Sequence, residues 1–186
     1  AFVQPEALHA RLREAQAEAE RLGLVIDNLA SFRERVNGHA GTRLDLSSAG
    51  VESLCVYSDG RVFPSAATAQ YEQLALGRWT GGNLDEILQT SAVGQRLRAV
   101  SVASKPTCNT CQFRYLCGGG DLEHSFSFSL GQTPSNGHGS FDFLDPYCEL
   151  YKGLIADSLF RLASEGRARH RTDTGFGAPV IFHSMG

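Results

Sequence analysis

Apolar residues in the first part of the chain recur at the spacing of an amphipathic helix. Pro5 can occupy the first turn of this helix, where its missing N–H costs nothing, and Gly23 can end it. The apolar stripe consists of Leu8, Leu12, Ala15, Ala19 and Leu22. The run Leu-Val-Ile at 24–26 then predicts a short buried strand. This part of the chain therefore predicts a helix–strand unit, of the kind that ends the repeating pattern of an α/β barrel.

The middle of the chain predicts a β-hairpin followed by two helices. Apolar runs at 51–57 and 61–63 flank a Ser-Asp-Gly turn at 58–60, which is a strong hairpin signal. Asn83 opens a capping-box pattern, so a helix is predicted after it. A second helix is predicted at 92–100.

The last third of the chain predicts a loop and then a long helix. Residues 118–145 are rich in Gly, Ser, Asn and Pro and are predicted to be mostly loop. Pro146 can open the final helix and Gly166 can end it. Its apolar stripe consists of Leu150, Tyr151, Leu154, Ile155, Leu159 and Leu162.

Composition and charge exclude several classes of protein. The chain is 42% hydrophobic and 20% charged, with a net charge of -3 and no basic run, so neither a nucleic-acid partner nor a membrane is expected. No apolar stretch reaches the roughly 20 residues that span a bilayer, and Glu6, Arg11 and Arg13 interrupt any signal-peptide core. These features predict a cytoplasmic protein. Because the single methionine is Met185 and the chain begins at Ala1, a piece of a longer protein is expected.

The cysteines are unevenly placed, and three of them fall within ten residues. Cys108 and Cys111 are separated by two residues, Cys117 precedes three glycines, and Cys148 stands alone at the predicted start of the last helix. Four thiolates with a distant fourth ligand are typical of an iron–sulfur cluster. A four-cysteine structural zinc site is the alternative, although such sites usually pair two short Cys-x2-Cys motifs. Ordinary buried or free cysteines are the remaining interpretation.

The segment Cys108-Asn-Thr-Cys111-Gln-Phe-Arg-Tyr-Leu-Cys117-Gly-Gly-Gly-Asp121, with Cys148 beyond it, resembles the SPASM domain of radical S-adenosylmethionine enzymes. The family pattern is C-x2-C-x5-C-x3-C followed by a lone cysteine, and its members hold two auxiliary [4Fe-4S] clusters. The related twitch domain holds one. The resemblance covers residues from about 45 to 165, and it implies that the four cysteines bind the second auxiliary cluster.

Three positions depart from the family pattern, and all three belong to the first auxiliary cluster. Ser47 and Ser65 on the predicted hairpin, and Asp121 after the glycines, stand where the family has cysteines. Serine and aspartate are poor iron–sulfur ligands, so the resemblance implies one [4Fe-4S] cluster rather than two. Cys55 lies at a position that the pattern does not use, and it is interpreted as a small buried residue.

The resemblance also sets the expected organisation. The fold class is α+β, a small hairpin or sheet with a cysteine-rich loop and helices, preceded by the helix–strand unit. Residues 1–44 are expected to be the end of a radical-enzyme barrel or a linker, 45–166 the cluster domain and 167–186 a tail. The chain lacks the C-x3-C-x2-C motif, so it should not cleave S-adenosylmethionine alone. That cofactor is expected only through a radical core domain, in the same chain or a separate one.

The expected function is electron transfer or substrate positioning in an enzyme that modifies a peptide or protein. The alternative is a non-enzymatic zinc or iron–sulfur module that binds a protein or peptide. Arg114, Asp121 and His124 lie near the cysteines in sequence and are candidates for contacts with the cluster or the substrate. A surface arginine, a turn cap and a solvent-facing loop histidine are their simpler interpretations.

Overall fold

The structure is a computed structural model. It describes residues 3–38, 49–50, 53–132 and 139–165. These residues form helices and a small sheet, which confirms the α+β class. The elements are α1 (Pro5–Arg21), α2 (Asp27–Val36), β1 (Cys55–Val56), β2 (Arg61–Phe63), β3 (Gly77–Arg78), α3 (Leu84–Thr90), α4 (Ala92–Ala99), α5 (Arg114–Cys117), α6 (Leu122–Gln132) and α7 (Cys148–Ser164). Two short 3-10 turns, Ala67–Gln70 and Glu72–Leu74, lie between β2 and β3. None of the described helices has the length and apolar character that crossing a membrane requires.

The first helix is confirmed, but the strand predicted after it is wrong. Residues 24–26 are extended coil, and Leu24 and Val25 are 61% and 75% exposed. Ile26 precedes the unpredicted helix α2 and packs into the core beside Leu29. A strand needs a neighbour to satisfy its backbone, and no strand of the described sheet pairs with this segment. The predicted helix–strand unit is therefore a helix–coil–helix unit.

Helix α7 is the centre of the helical half of the molecule. Both α1 and α2 pack against it, and α5 contacts it as well. The apolar stripe predicted for this helix is buried except for Leu159, which is partly buried, and Ile155 is fully inaccessible. Tyr151 on α7 stacks on Phe32 of α2 with 5.9 Å between ring centroids. Because Cys117 also packs into this core, the helices fix the position of one candidate ligand directly.

The sheet is antiparallel, with strand order β1-β2-β3. The predicted hairpin is confirmed, although β1 is shorter than expected, and β3 was not predicted. In the register, Cys55 lies opposite Phe63. Gly60 at the turn has φ +84°, and a Cβ there would lie 2.6 Å from the Trp79 carbonyl oxygen, so the turn requires glycine.

The helices after the sheet are capped by their own side chains. The Asn83 side chain accepts a hydrogen bond from the Asp85 N–H at 2.9 Å, and the Ser91 hydroxyl accepts one from the Gly94 N–H at 3.3 Å. The prediction that residues 118–145 are mostly loop is wrong in part, because α6 lies inside that range. Its buried Leu122 and Phe126 pack against the α4 side of the core, and this packing outweighs the weak local propensity of a Ser-rich segment.

Candidate metal centre

The first three candidate ligands lie on successive short turns. The Cys108 N–H donates to the Lys105 carbonyl oxygen, and the Cys111 N–H donates to the Cys108 carbonyl oxygen, each at 3.0 Å. Cys117 ends the one-turn helix α5, where its N–H donates to the Phe113 carbonyl oxygen at 2.8 Å. These backbone hydrogen bonds therefore fix where the three cysteines lie relative to one another.

A turn of three glycines follows Cys117. Gly118, Gly119 and Gly120 have φ angles of 71°, 90° and 84°, a left-handed run that side-chain-bearing residues rarely adopt. The turn directs the N–H groups of Gly119 and Gly120 to the Cys117 sulfur. Backbone donors of this kind stabilise a metal-bound thiolate.

Cys148, the fourth candidate ligand, comes from a more distant part of the sequence. It is the first residue of α7, and its N–H donates to the Asp145 carbonyl oxygen at 3.0 Å. Together with Cys108, Cys111 and Cys117 it lines one cavity of about 110 Å³. The structure thus brings all four predicted ligands to a common space.

The size of this cavity bears on what the four thiols can hold. A water molecule needs only about 10–15 Å³ of such volume. The cavity of about 110 Å³ therefore has room for a polyatomic group beside the four cysteines. Within the described ranges, no group of three or more His, Cys, Asp or Glu side chains is arranged around a single metal-ion position. The donor set and the cavity volume fit an iron–sulfur cluster.

Three of the four thiols, those of Cys108, Cys117 and Cys148, are held in the protonated state. Burial raises the pKa of Cys108 and of Cys148, and it raises the pKa of Cys117 to about 11 despite the two glycine N–H donors. A catalytic thiolate needs the opposite shift. These cysteines are therefore poor nucleophiles by themselves, whereas a bound metal would displace their protons.

A buried lysine lies beside the cysteine turns. Lys105 is 1% exposed, and its ammonium donates to the Gly119 carbonyl oxygen at 2.9 Å and to the Ser125 hydroxyl at 3.1 Å. Burial lowers the pKa of Lys105, while the thiols of Cys108 and Cys117 act in the opposite direction. Sequence reasoning missed this residue, and nothing in the local pattern marks it as buried.

Asp145 is the second buried charge that sequence reasoning missed. It is 1% exposed, and its two carboxylate oxygens accept hydrogen bonds from the N–H groups of Asp121 and Tyr147, each at 2.7 Å. The carboxylate thereby joins the end of the glycine turn to the start of α7. An aspartate just before Pro146, next to a predicted helix start, is the signal that could have identified it.

The three residues predicted near the cluster have different positions. Arg114 lines the cavity and lies 4.6 Å over the Tyr115 ring. Asp121 caps α6, because its Oδ1 accepts from the N–H groups of Glu123 at 2.7 Å and His124 at 3.3 Å. In the described part of the chain, neither Asp121 nor His124 belongs to the cavity lining.

His124 lies on α6 and faces α7. Its Nδ1 is 3.1 Å from the Tyr151 hydroxyl and 3.4 Å from the Asp145 Oδ2. The hydrogen bond to Asp145 raises the pKa of His124 above 6.5, with burial opposing it. Burial is also the main reason that the pKa of Tyr151 is raised, so the phenol stays neutral.

The raised pKa of His124 predicts a pH-dependent contribution to stability. A charged His124 stabilises the folded state fully below the unfolded pKa of 6.5, and this is lost as the pH rises through the higher folded value. The wild type should therefore have a higher free energy of unfolding than His124→Gln, and this difference should be larger at pH 5.5 than at pH 8. The gap should stay below about 1 kcal/mol, because the ring is partly exposed to solvent. Urea unfolding of both proteins across this range measures it, and a pH-independent gap would contradict the charged pair.

Ser65, one of the positions where the family has a first-cluster cysteine, takes part in a hydrogen-bond network. Its hydroxyl donates to the Glu123 carboxylate on α6, and its N–H donates to the Thr68 hydroxyl at 3.0 Å. Burial raises the pKa of Glu123. Ser47 lies outside the described residues, and Cys55 is half-buried on β1, away from the four-cysteine cavity.

A second cavity, of about 190 Å³, lies between α1, α2 and α7. Apolar residues such as Leu24 and Leu29 line it, together with the Glu20–Arg161 ion pair at its edge. It contains none of the predicted site residues.

Comparisons with known proteins place the fold more firmly than the chemistry. No protein-family model matches the chain, and no curated protein does. A solved structure described as native anSMEcpe with bound AdoMet matches 90% of this chain at a TM-score of 0.62 and 17% sequence identity. The match covers 44% of that protein, so this chain spans less than half its length. The fold and the site thus define a small α+β domain with a four-cysteine cavity, folded like part of an AdoMet-bound protein.

Proposed function

We propose that this chain is an auxiliary iron–sulfur domain of a radical S-adenosylmethionine enzyme. Cys108, Cys111, Cys117 and Cys148 would hold one [4Fe-4S] cluster. When bound, the cluster supplies a one-electron redox centre. The observation that carries the proposal is the convergence of these four cysteines, from two distant parts of the sequence, on one cavity of about 110 Å³.

The surroundings of the cavity support a negatively charged guest. The N–H groups of Gly119 and Gly120 point at the Cys117 sulfur, and Lys105 is buried nearby. A cluster with four thiolates carries net negative charge, so amide dipoles and a cation beside it are favourable.

The likeness to an AdoMet-bound protein supports the radical-enzyme context, because AdoMet is S-adenosylmethionine. This chain lacks the C-x3-C-x2-C motif, so the cofactor would bind a core domain supplied by the same or a separate chain. We propose the division at residues 1–44, 45–166 and 167–186, with the cluster in the second part. The motif resemblance further suggests a peptide or protein substrate.

The residues of the site have distinct proposed roles. The cysteines hold the cluster. Arg114 lies at the cavity wall, where its charge can contact the cluster or an anionic part of a substrate. Asp121 and His124 act indirectly, since one caps α6 and the other is paired with Asp145 and Tyr151. The domain would transfer an electron or position the substrate.

Metal analysis tests the proposal directly. The chain, purified without oxygen and reconstituted with iron and sulfide, should contain about four iron and four labile sulfide per molecule. It should also show broad visible absorption that bleaches with dithionite. Retention of these signals in Cys55→Ser and their loss in Cys148→Ala would match the ligand assignment.

A different result would identify the competing function. One zinc per chain, without iron, sulfide or a redox step, would contradict the proposal and indicate a structural module that binds a protein or peptide. Equal metal loss from Cys55→Ser and Cys148→Ala would contradict the ligand set.

A further inference from the structure

Lys105 connects the two turns that carry three of the proposed ligands. Its carbonyl oxygen accepts the Cys108 N–H at 3.0 Å, and its ammonium donates to the Gly119 carbonyl oxygen at 2.9 Å. The fit is tight, because a Cβ at Gly119 would lie 2.9 Å from the lysine Cδ. The Ser125 hydroxyl, which also accepts from the ammonium, donates a hydrogen bond to the Asp121 carbonyl oxygen at 3.0 Å. The lysine side chain is therefore held in one place.

Among the described residues, the ammonium of Lys105 has no carboxylate in direct contact. In the part of the chain that the structure describes, its ammonium bonds to a carbonyl and a hydroxyl and forms no ion pair with a carboxylate. The groups that favour its charged form through space are Cys108, Asp145, Asp142 and Cys117. An ammonium that is 1% exposed with neutral contacts alone is costly to the fold. Two of those four groups become negative when they ligate a metal.

We propose that Lys105 is a positioning residue that raises the reduction potential of the cluster in the adjacent cavity. This inference rests on the proposed function, since it needs the cluster to be there. One-electron reduction adds a negative charge to the cluster, and a fixed cation nearby stabilises that added charge. By holding the Gly119 carbonyl, the lysine also keeps the glycine N–H groups directed at the Cys117 sulfur, which favours the reduced state as well.

The test uses the reconstituted chain and dithionite as the electron donor, followed by a redox titration. Lys105→Gln removes the charge but keeps hydrogen-bond donors, and Lys105→Met removes both. We expect Lys105→Gln to lower the one-electron reduction equilibrium constant about tenfold, which is about 59 mV. Lys105→Met should lower it further, and the electron paramagnetic resonance signal of the reduced cluster should change with it.

Arg11 offers a matched control, because it carries the same charge but lies on α1, outside the cavity lining. Its side chain is 79% exposed and pairs with Glu14 at 2.7 Å. Solvent screening should limit the effect of Arg11→Met to less than about twofold, although the change in net charge is the same.

The outcomes separate this inference from the proposed function. Absence of a cluster from the wild type would refute the proposed function itself. A cluster with the same potential in the wild type and in both Lys105 variants would refute the role of Lys105 alone. Loss of the cluster from both Lys105 variants, with Arg11→Met loaded normally, would also refute the tuning role and make Lys105 a folding residue.

Discussion

Cys117→Ser is expected to abolish cluster binding and to lower the melting temperature of the reconstituted protein by on the order of 10 °C. Cys117 is the proposed ligand that packs against the helical core. Its side chain packs into the core that α7 forms with α2 and α5, and its sulfur accepts the N–H groups of Gly119 and Gly120. Serine is a poor ligand for iron, so the free energy of cluster binding would be lost to folding. Iron content and thermal unfolding, measured on the same preparation, check both parts.

Cys55→Ser provides the matched control for this substitution. Cys55 is also half-buried and carries a free thiol, but it lies on β1 opposite Phe63 and outside the cavity. The control should keep its iron and change stability by less than about 1 kcal/mol, as expected for a small buried residue replaced by a close isostere. Iron retained by Cys117→Ser would show that another residue completes the ligand set.

The grouping of Cys108, Cys111 and Cys117 could be predicted from sequence because their spacing is a local property. A Cys-x2-Cys turn, an intervening one-turn helix and a glycine run are set by neighbours along the chain, and the structure brings these cysteines to one cavity with Cys148. The hairpin was predictable for the same reason, since Asp-Gly selects a tight turn on its own. The cysteine turns and the hairpin thus depend on residues that are neighbours in the sequence.

The parts that were mispredicted depend on contacts between distant residues. Residues 24–26 have the composition of a strand but no neighbouring strand to pair with, so they are coil. Helix α6 forms in a segment rich in serine because Leu122 and Phe126 are buried against other elements. Sequence patterns do not state which surfaces will meet, and so they gave the wrong element in both places.

The buried charges were missed for a related reason. Lysine and aspartate normally lie on the surface, so a sequence alone predicts that their side chains are exposed. Lys105 and Asp145 are each 1% exposed. Most of their partners are backbone groups, brought close by the glycine turn and the start of α7. Nothing in the sequence marks such contacts for Lys105, whereas the position of Asp145 before Pro146 was an available signal. The grouping of the cysteines follows from their spacing, but the polar groups around them depend on contacts that this spacing does not encode.

Asp145→Ala is expected to destabilise the chain by about 3 kcal/mol or more, before and after cluster loading. The buried carboxylate accepts the N–H groups of Asp121 and Tyr147 at 2.7 Å each, and alanine would leave both donors without that acceptor. Each buried N–H that loses its partner costs about 1–3 kcal/mol. The loss would also separate the glycine turn from the start of α7, so Cys148 would be displaced from the other ligands and iron loading should fall. Urea unfolding and iron content measure the two effects.

Two further variants make this prediction specific. Asp145→Asn should be nearly as damaging as alanine, because its amide would turn an NH₂ group toward one of the two N–H donors. Asp142→Ala removes a carboxylate from an exposed position three residues earlier, and it should change stability by no more than about 0.5 kcal/mol. If Asp145→Asn matched the wild type, one of the two backbone bonds would be dispensable. If Asp142→Ala were as harmful as Asp145→Ala, the cause would be the loss of negative charge near Lys105 rather than the paired backbone contacts.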